Sequence, residues 1–416
     1  VYNSPVSFPD FFISGKILSP GKEKSYMKKI YLDQASTSFP KAPGVAEAVY
    51  RYLSDSAVNV GRGAYEAAYS VEEQIYDTRS QLLRLFHFTS GKEKNVIFTS
   101  GITASLNILL KGLLRPGNHV LVTSMEHNAV MRPLVQLTEN GISFDRIPCG
   151  PDGTLLLHKA ENLLRPETRL LVCLHASNVC GTIMPVQKIG DFCKQHHLLF
   201  LLDTAQTAGV FPIDMEALHV DALAFAGHKG LRGPQGTGGF LIRDELAGEM
   251  TPLLSGGTGS LSHMEEIPSF LPDRFEPGTP NIPGILGLHG ALSYLEQTSM
   301  EALRRHELEV TEYFLRGIQE MDPYEKRIRL TGKKNTHGRC AVVSLQTPGT
   351  DPARTAYELD ASYGIMTRVG LHCAPSAHRT LGTYPEGTVR FSFGPENTIK
   401  EAETALKALA EITCIK

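Results

Sequence analysis

Three residues of this 416-residue chain have side chains that do not suit their neighbours: Asp203, Lys229 and Cys373. Asp203 ends the apolar run LLFLLD (198–203), where a carboxylate is costly without a cationic partner. The run supplies no such partner, which leaves room for a ligand carrying a protonated nitrogen. Lys229 follows another apolar run, DALAFAG (221–227), and precedes the glycine-rich GLRGPQGTG. A lysine partly removed from water has a lowered pKa and can serve as an amine nucleophile or base. Read singly, Asp203 is a helix cap and Lys229 a surface charge. Together they match pyridoxal phosphate, whose aldehyde takes a Schiff-base lysine and whose pyridinium nitrogen takes an acidic partner.

A phosphate also needs a seat. TSGITASLN (99–107) ends a strand, turns on Gly101 and starts a helix, so N–H groups and the helix dipole face an anion, and Thr103 adds a hydroxyl. No GxxxxGK[ST] loop or dinucleotide fingerprint is present, which argues against the common nucleotide sites. Cys373 lies in RVGLHCAPSAHRTLGT (368–383), framed by Gly370, His372, Pro375 and Ser376, and reads as an exposed loop thiol. Arg368, His372 or His378 could favour its thiolate, the reactive form; the alternative is an inert loop cysteine.

These residues need elements to position them. Apolar runs at 95–100, 119–124, 169–176, 198–203, 221–227 and 238–243 alternate with helical stretches such as 103–114 and 186–197. That alternation predicts an α/β domain with a mostly parallel sheet covered on both faces, its ligands gathered at the carboxyl ends of the strands. After Gly287 the pattern becomes α+β: a long helix with a possible break over 288–321, strands near 326–331, 339–346 and 388–393, and a helix from about 397. The organisation expected is an extension over 1–27, a large domain over 28–286 whose N-terminal segment packs on the small domain, and a small α+β domain over 287–416 carrying the Cys373 loop.

Composition narrows the function class. Lys and Arg total 41 against 44 Asp and Glu, a net charge of −3, so no basic field awaits nucleic acid and a small-molecule ligand is expected. No run of eighteen apolar residues appears, so no membrane partner is expected. Seven scattered cysteines lack a disulfide framework and fit a reducing cytoplasm. CKQHH (193–197) lies on a predicted helix without a second ligand pair, so no metal is expected.

The segments YLDQAST (31–37), FTSGITASLN (98–107), MEHNAV (125–130), HASNVCGT (175–182), DTAQTAG (203–209), AGHKGLRGPQGTG (226–238), RFEPGTPN (274–281) and RVGLHCAP (368–375) resemble, in order, the class V aminotransferase-fold enzymes. Within these the chain is most similar to the group II cysteine desulfurases, which include selenocysteine lyases. The resemblance implies a pyridoxal-phosphate-dependent transferase of fold type I, acting on L-cysteine or L-selenocysteine. Lys229 would bond the cofactor, Asp203 would pair with its ring nitrogen and His127 would stack on the ring. Asn178 and Gln206 would bond the phenolic oxygen and nearby substrate groups. Thr103, Ala104 and His228 would hold the phosphate, and Thr279 would reach the phosphate of a second subunit in a homodimer. Arg390 would fork the substrate carboxylate, and Arg368 would stand at the mouth. Cys373 would take the sulfur as a persulfide and pass it to an acceptor protein. The chain departs from the family's usual hydroxyl residues at Ile102 and Ala226, both expected phosphate contacts. An aminotransferase or another amino-acid lyase on the same scaffold is the alternative.

Overall fold

The computed structural model describes residues 29–61 and 63–415; the extension expected over 1–27 lies outside them. A two-residue strand, β1 (Ile30–Tyr31), comes first, then helices Val45–Asp55 and Glu66–Leu85. The apolar runs form β2 (Val96–Thr99), β3 (His119–Thr123), β5 (Thr168–Leu174), β6 (Leu199–Asp203), β7 (Ala222–Ala226) and β8 (Gly238–Ile242). A seventh strand, β4 (Ser143–Ile147), reads SFDRI and is not legible as an apolar run. It is the sheet edge, where polar side chains are tolerated.

The sheet order is β2-β8-β7-β6-β5-β3-β4, with β8 antiparallel to both its neighbours and the other pairs parallel. Alternation along each strand fills two cores. Leu171, Phe200, Leu202, Leu223 and Phe225 enter one; Leu170, Val172, Leu201 and Ala224 enter the other. Helices cover both faces, which is why the strands are apolar throughout.

Helix Ile282–Gln297 spans the position where the small domain was expected to begin. It runs across position 286/287, and Ile285, Leu288, Leu292 and Leu295 pack into the large core. The long helical stretch is two helices, broken at Thr298–Ser299, where the Ser299 side chain accepts from the Ala302 N–H and opens helix Met300–Met321. That helix and Ile399–Ile412 cover a four-stranded antiparallel sheet of β9 (Arg329–Thr331), β10 (Val342–Gln346), β12 (Arg368–Gly370) and β13 (Thr388–Ser392), in the order β12-β13-β10-β9. Val310, Phe314, Ile318, Val343, Phe391 and Leu409 form its core, joined by Ile30 and Leu32 from the N-terminal segment. β1 pairs in parallel with β11 (Ile365–Met366). The segment after β1 then crosses between the cores: Ser392 N–H donates to Leu32 O and Ser38 N–H to His228 O.

Candidate functional site

The site forms where β6 and β7 end. Asp203 closes β6 and is buried; its Oδ1 accepts from the Ala205 N–H at 2.9 Å. No other donor among the described residues reaches this carboxylate. Burial raises its pKa, while the Ala205 bond and the charge of Lys229 pull the other way. Lys229 stands three residues beyond β7. Its pKa is lowered from 10.5 to about 8, first by burial; Asp203 opposes the shift and Arg390 and Arg368 add to it.

His127 is the N-cap of helix Asn128–Thr138 and its Nδ1 accepts from the Ala129 N–H at 3.0 Å. That bond puts the ring proton on Nε2. Burial and then the charge of Lys229 push its pKa down to about 4, so the imidazole is neutral. His228 behaves alike, lowered to about 4 by burial and then by Lys229, with Nδ1 3.1 Å from Thr37 Oγ1. Gln206 Nε2 donates to Ala35 O at 3.2 Å. Thr103 and Ala104 lie in the first turn of helix Ile102–Leu113, with Thr103 exposed. The N-cap of that helix, Gly101, has φ 150° and no side chain among the described residues caps the helix, which leaves the Ile102 and Thr103 N–H groups without a cap, while the Ala104 N–H donates to Gly101 O at 2.9 Å. Ala226 is buried as the last residue of β7 and Ile102 is half-buried. Thr279 is exposed, and no hydrogen bond among the described residues ties it to the others.

Arg390 is buried on β13 and already engaged. Its Nη1 donates to Asn178 O at 3.0 Å; its Nη2 donates to Asp33 Oδ1 at 2.9 Å and Ser36 Oγ at 2.7 Å; its buried Nε has no partner. Asp33 Oδ2 is 3.8 Å from Nη1 of the half-exposed Arg368. Asp33 therefore bridges Arg390, expected to fork the substrate carboxylate, and Arg368, expected at the mouth of the site. The sequence reading had not singled it out, although it stands inside YLDQAST, two residues after β1. Glu126 was missed too. It is fully buried beside Asp203, its pKa raised to about 8 by burial, and it accepts from Thr123 Oγ1 and the Leu174 N–H.

The Cys373 loop is tied to this site through its backbone. Cys373 O accepts from the Asn128 N–H at 2.7 Å, next to His127, and His372 O accepts from Asn178 Nδ2 at 2.8 Å. His372 and Cys373 both adopt left-handed φ, 46° and 57°, a conformation that side chains disfavour and the surroundings must hold. Cys373 is exposed. The two histidines expected to favour its thiolate do not carry charge. His372 and His378 are buried, their pKa values pushed down to about 2 and about 4 by burial, and each bonds a threonine hydroxyl. Arg368 is the remaining cation of the three. Cys193 is buried in its helix, and burial pushes its thiol up.

An open carboxylate, a lowered lysine, a neutral imidazole and an uncapped helix start are chemically able to hold pyridoxal phosphate. Gln206 and Lys229 line a concavity together with Ala341, Val342 and Phe393 from the smaller sheet's side.

Relatives share this plan over nearly the whole length. A "Probable cysteine desulfurase" of Methanothermobacter thermautotrophicus is 31% identical over 387 residues, covering 92% of this chain and 94% of its own. One from Pyrococcus abyssi is 31% identical over 390 residues, with the same coverage of both chains. Among solved structures, the apo cysteine desulfurase of Thermococcus onnurineus superposes with a TM-score of 0.85 at 31% identity, covering 93% of this chain and 95% of that one. The Escherichia coli cysteine desulfurase CsdA in its S-sulfonic acid form gives 0.81 at 26%, covering 93% and 96%. The pattern of the family described as "Aminotransferase class-V" matches residues 30–404, and the chain belongs to that family.

Proposed function

We propose that this protein is a pyridoxal-phosphate-dependent cysteine desulfurase, converting L-cysteine to L-alanine and receiving the sulfur on Cys373. The observation that carries this reading is the tether of the Cys373 loop to Asn128, which follows His127, and to Asn178, which holds Arg390; His127 and Arg390 both interact electrostatically with Lys229. When bound, the cofactor supplies an electron sink for the carbanion at the substrate Cα.

The chain's own residues do the rest. Lys229, its pKa about 8, would bond the cofactor and then move the Cα proton. Asp203 would accept the ring N–H, whose positive charge would offset the burial that raises the carboxyl's pKa. Neutral His127 would stack on the cofactor ring, with the ring proton on Nε2. The N–H groups after Gly101, with Thr103, Ala104 and His228, would seat the phosphate. Gln206 and Asn178 would bond oxygens of cofactor and substrate. Arg390 and Arg368 draw in the substrate carboxylate as Asp33 yields its place.

The Cys373 thiolate then attacks the substrate sulfur. An S–S bond forms as the Cβ–S bond breaks, and that electron pair stays with the carbon skeleton, which is protonated to alanine. The sulfur leaves later for a thiol on an acceptor protein, in keeping with a cytoplasmic enzyme. In this reading the exposed Thr279 serves the phosphate of a second copy, so the working unit is a homodimer.

The test is alanine release from L-cysteine by the yellow holoenzyme and by Cys373→Ala, with reductant present and L-selenocysteine in parallel. A variant that keeps its colour and loses cysteine turnover at least about a hundredfold supports the reading. A variant that turns over L-cysteine like wild type would sink it and favour an aminotransferase or lyase that ignores the thiol. Turnover of L-selenocysteine alone by wild type would move the assignment to a selenocysteine lyase.

A further inference from the structure

Beside the Cys373 loop lies a concavity of about 240 Å³, lined by Arg132, Arg146, Arg379, Val135, Pro375 and Ser376 among others. Three elements build it: helix Asn128–Thr138, the sheet-edge strand β4, and the short helix Pro375–Thr380 that leaves Cys373. No carboxylate lines it. None of its three arginines has an ion-pair partner among the described residues, whereas nearby Arg165 pairs with Asp145. Arg146 lies 5.0 Å from the Phe144 ring and Arg379 4.3 Å from the Tyr384 ring, contacts that orient a guanidinium without neutralising it.

Like charges gathered in one concavity repel each other and turn favourable only when an anion arrives. Arg146 feels this: its pKa is lowered by burial and then by the charge of Arg379. The floor is partly apolar, with Val135 54% exposed, and β4 has a free edge. A spread of three guanidinium groups over an apolar floor suits a peptide segment better than one small ion.

We propose that this arginine-lined concavity docks a carboxylate-rich segment of the thiol protein that takes sulfur from Cys373. The assignment rests on the desulfurase reading for what is transferred, and on geometry for where the partner sits. Asn128 lines the concavity and its N–H holds Cys373 O at 2.7 Å, so a docked segment lies beside the thiol. Transfer is a plain exchange. The partner's thiolate attacks the outer sulfur of the Cys373 persulfide, a new S–S bond forms, the old one breaks, and Cys373 leaves as thiolate. No external oxidant or reductant enters.

The test uses two fluorescent hexapeptides with one cysteine each, one otherwise of glutamate and aspartate, the other of glutamine and asparagine. Their binding to the holoenzyme, without L-cysteine, is read by fluorescence anisotropy under reductant. The acidic peptide is expected to bind at least about tenfold tighter, and to lose that margin in 0.5 M salt and in the combined variant Arg132→Gln, Arg146→Gln, Arg379→Gln. Alanine release by that variant, with dithiothreitol as sulfur acceptor, should match wild type and so report an intact fold. Equal binding of both peptides, or undiminished binding by the variant, overturns the proposal. So does a change in assembled mass of the variant by light scattering, which would make the face a contact between copies. If L-cysteine is then added, intact acidic-peptide binding with no sulfur transfer to the peptide thiol counts against the desulfurase reading alone.

Discussion

Asp33 holds Arg390 and Arg368 through one carboxylate, at 2.9 and 3.8 Å, and this sets how readily the pair receives a substrate carboxylate. Its charge competes directly with the incoming one. Asp33→Asn keeps a hydrogen-bond acceptor for Arg390 and removes the competition. The expected result is a KM for L-cysteine lowered about three- to tenfold, with stronger inhibition by simple carboxylates such as propionate; steady-state kinetics check it. A raised KM would mean that Asp33 positions the arginine more than it blocks it. Lys229 makes a second residue-scale prediction. With a pKa of about 8 rather than 10.5, about a quarter of the amine is neutral at pH 7.5, against about 0.1% for an ordinary lysine. Only the neutral amine attacks an aldehyde. Capture of added pyridoxal phosphate by cofactor-free protein should therefore speed up with rising pH, with a midpoint near 8, and level off above about 9. Stopped-flow absorbance reads this directly, and a rate still climbing tenfold per unit at pH 9.5 would contradict the lowered value.

Elements keep these residues in register through a few buried ties. Glu276, in the RFEPGTPN segment, accepts from Arg79 Nη1 and Nη2 at 2.9 and 2.8 Å and from the Phe98 N–H at 2.6 Å. One carboxylate thus pins helix Glu66–Leu85, strand β2 and the segment that carries Thr279. Removing one member of a buried pair leaves the other charge unpaired, at a cost of about 3–5 kcal/mol. Glu276→Ala should lower stability by about 3 kcal/mol in urea unfolding, whereas Glu47→Ala, which breaks an exposed pair with Arg51, should change it by less than about 0.5 kcal/mol. The Cys373 loop shows the same logic on a smaller scale. Two left-handed residues are held through their carbonyls, one by the Asn128 N–H and one by the Asn178 side chain, so an exposed thiol is presented from a fixed position.

Across the whole molecule, burial of ionisable groups in and around the cleft shapes the response to pH. His127, His175, His228, His372 and His378 all have pKa values pushed well below 6.5 by burial. Each is neutral in the folded state, so its contribution is present above pH 6.5 and is lost as pH falls and the unfolded chain takes up protons. Glu126 and Glu307, raised to about 8 by burial, act in the opposite sense: their contribution is present at low pH and lost as pH rises through 8. Tm should peak between about pH 6 and 7.5 and decline toward pH 5 and toward pH 9. Calorimetry of the cofactor-free protein across that range checks it, and a Tm that kept rising down to pH 5 would show these histidines to be charged.

The sequence by itself determined the strands of the large sheet and the residues at their ends. Uniform apolar runs such as LLFLLD are local signals, and Asp203 and Lys229 stand out against them. Order-specific motifs carried the family and, with it, most of the candidate site. Tertiary structure decided what depends on distant neighbours. The edge strand β4 is too polar to announce itself, and helix Ile282–Gln297 shows its allegiance only through the core it fills. The charge on His372 and His378 could not be read from a loop that looks exposed, because burial, which fixes it, is made by β13 and the turn at Thr383. Asp33 and Arg390 lie 357 residues apart, and their contact exists only because the N-terminal segment crosses between the two cores. A side chain's type is local; its ionisation and its partner are set by whatever folding brings beside it.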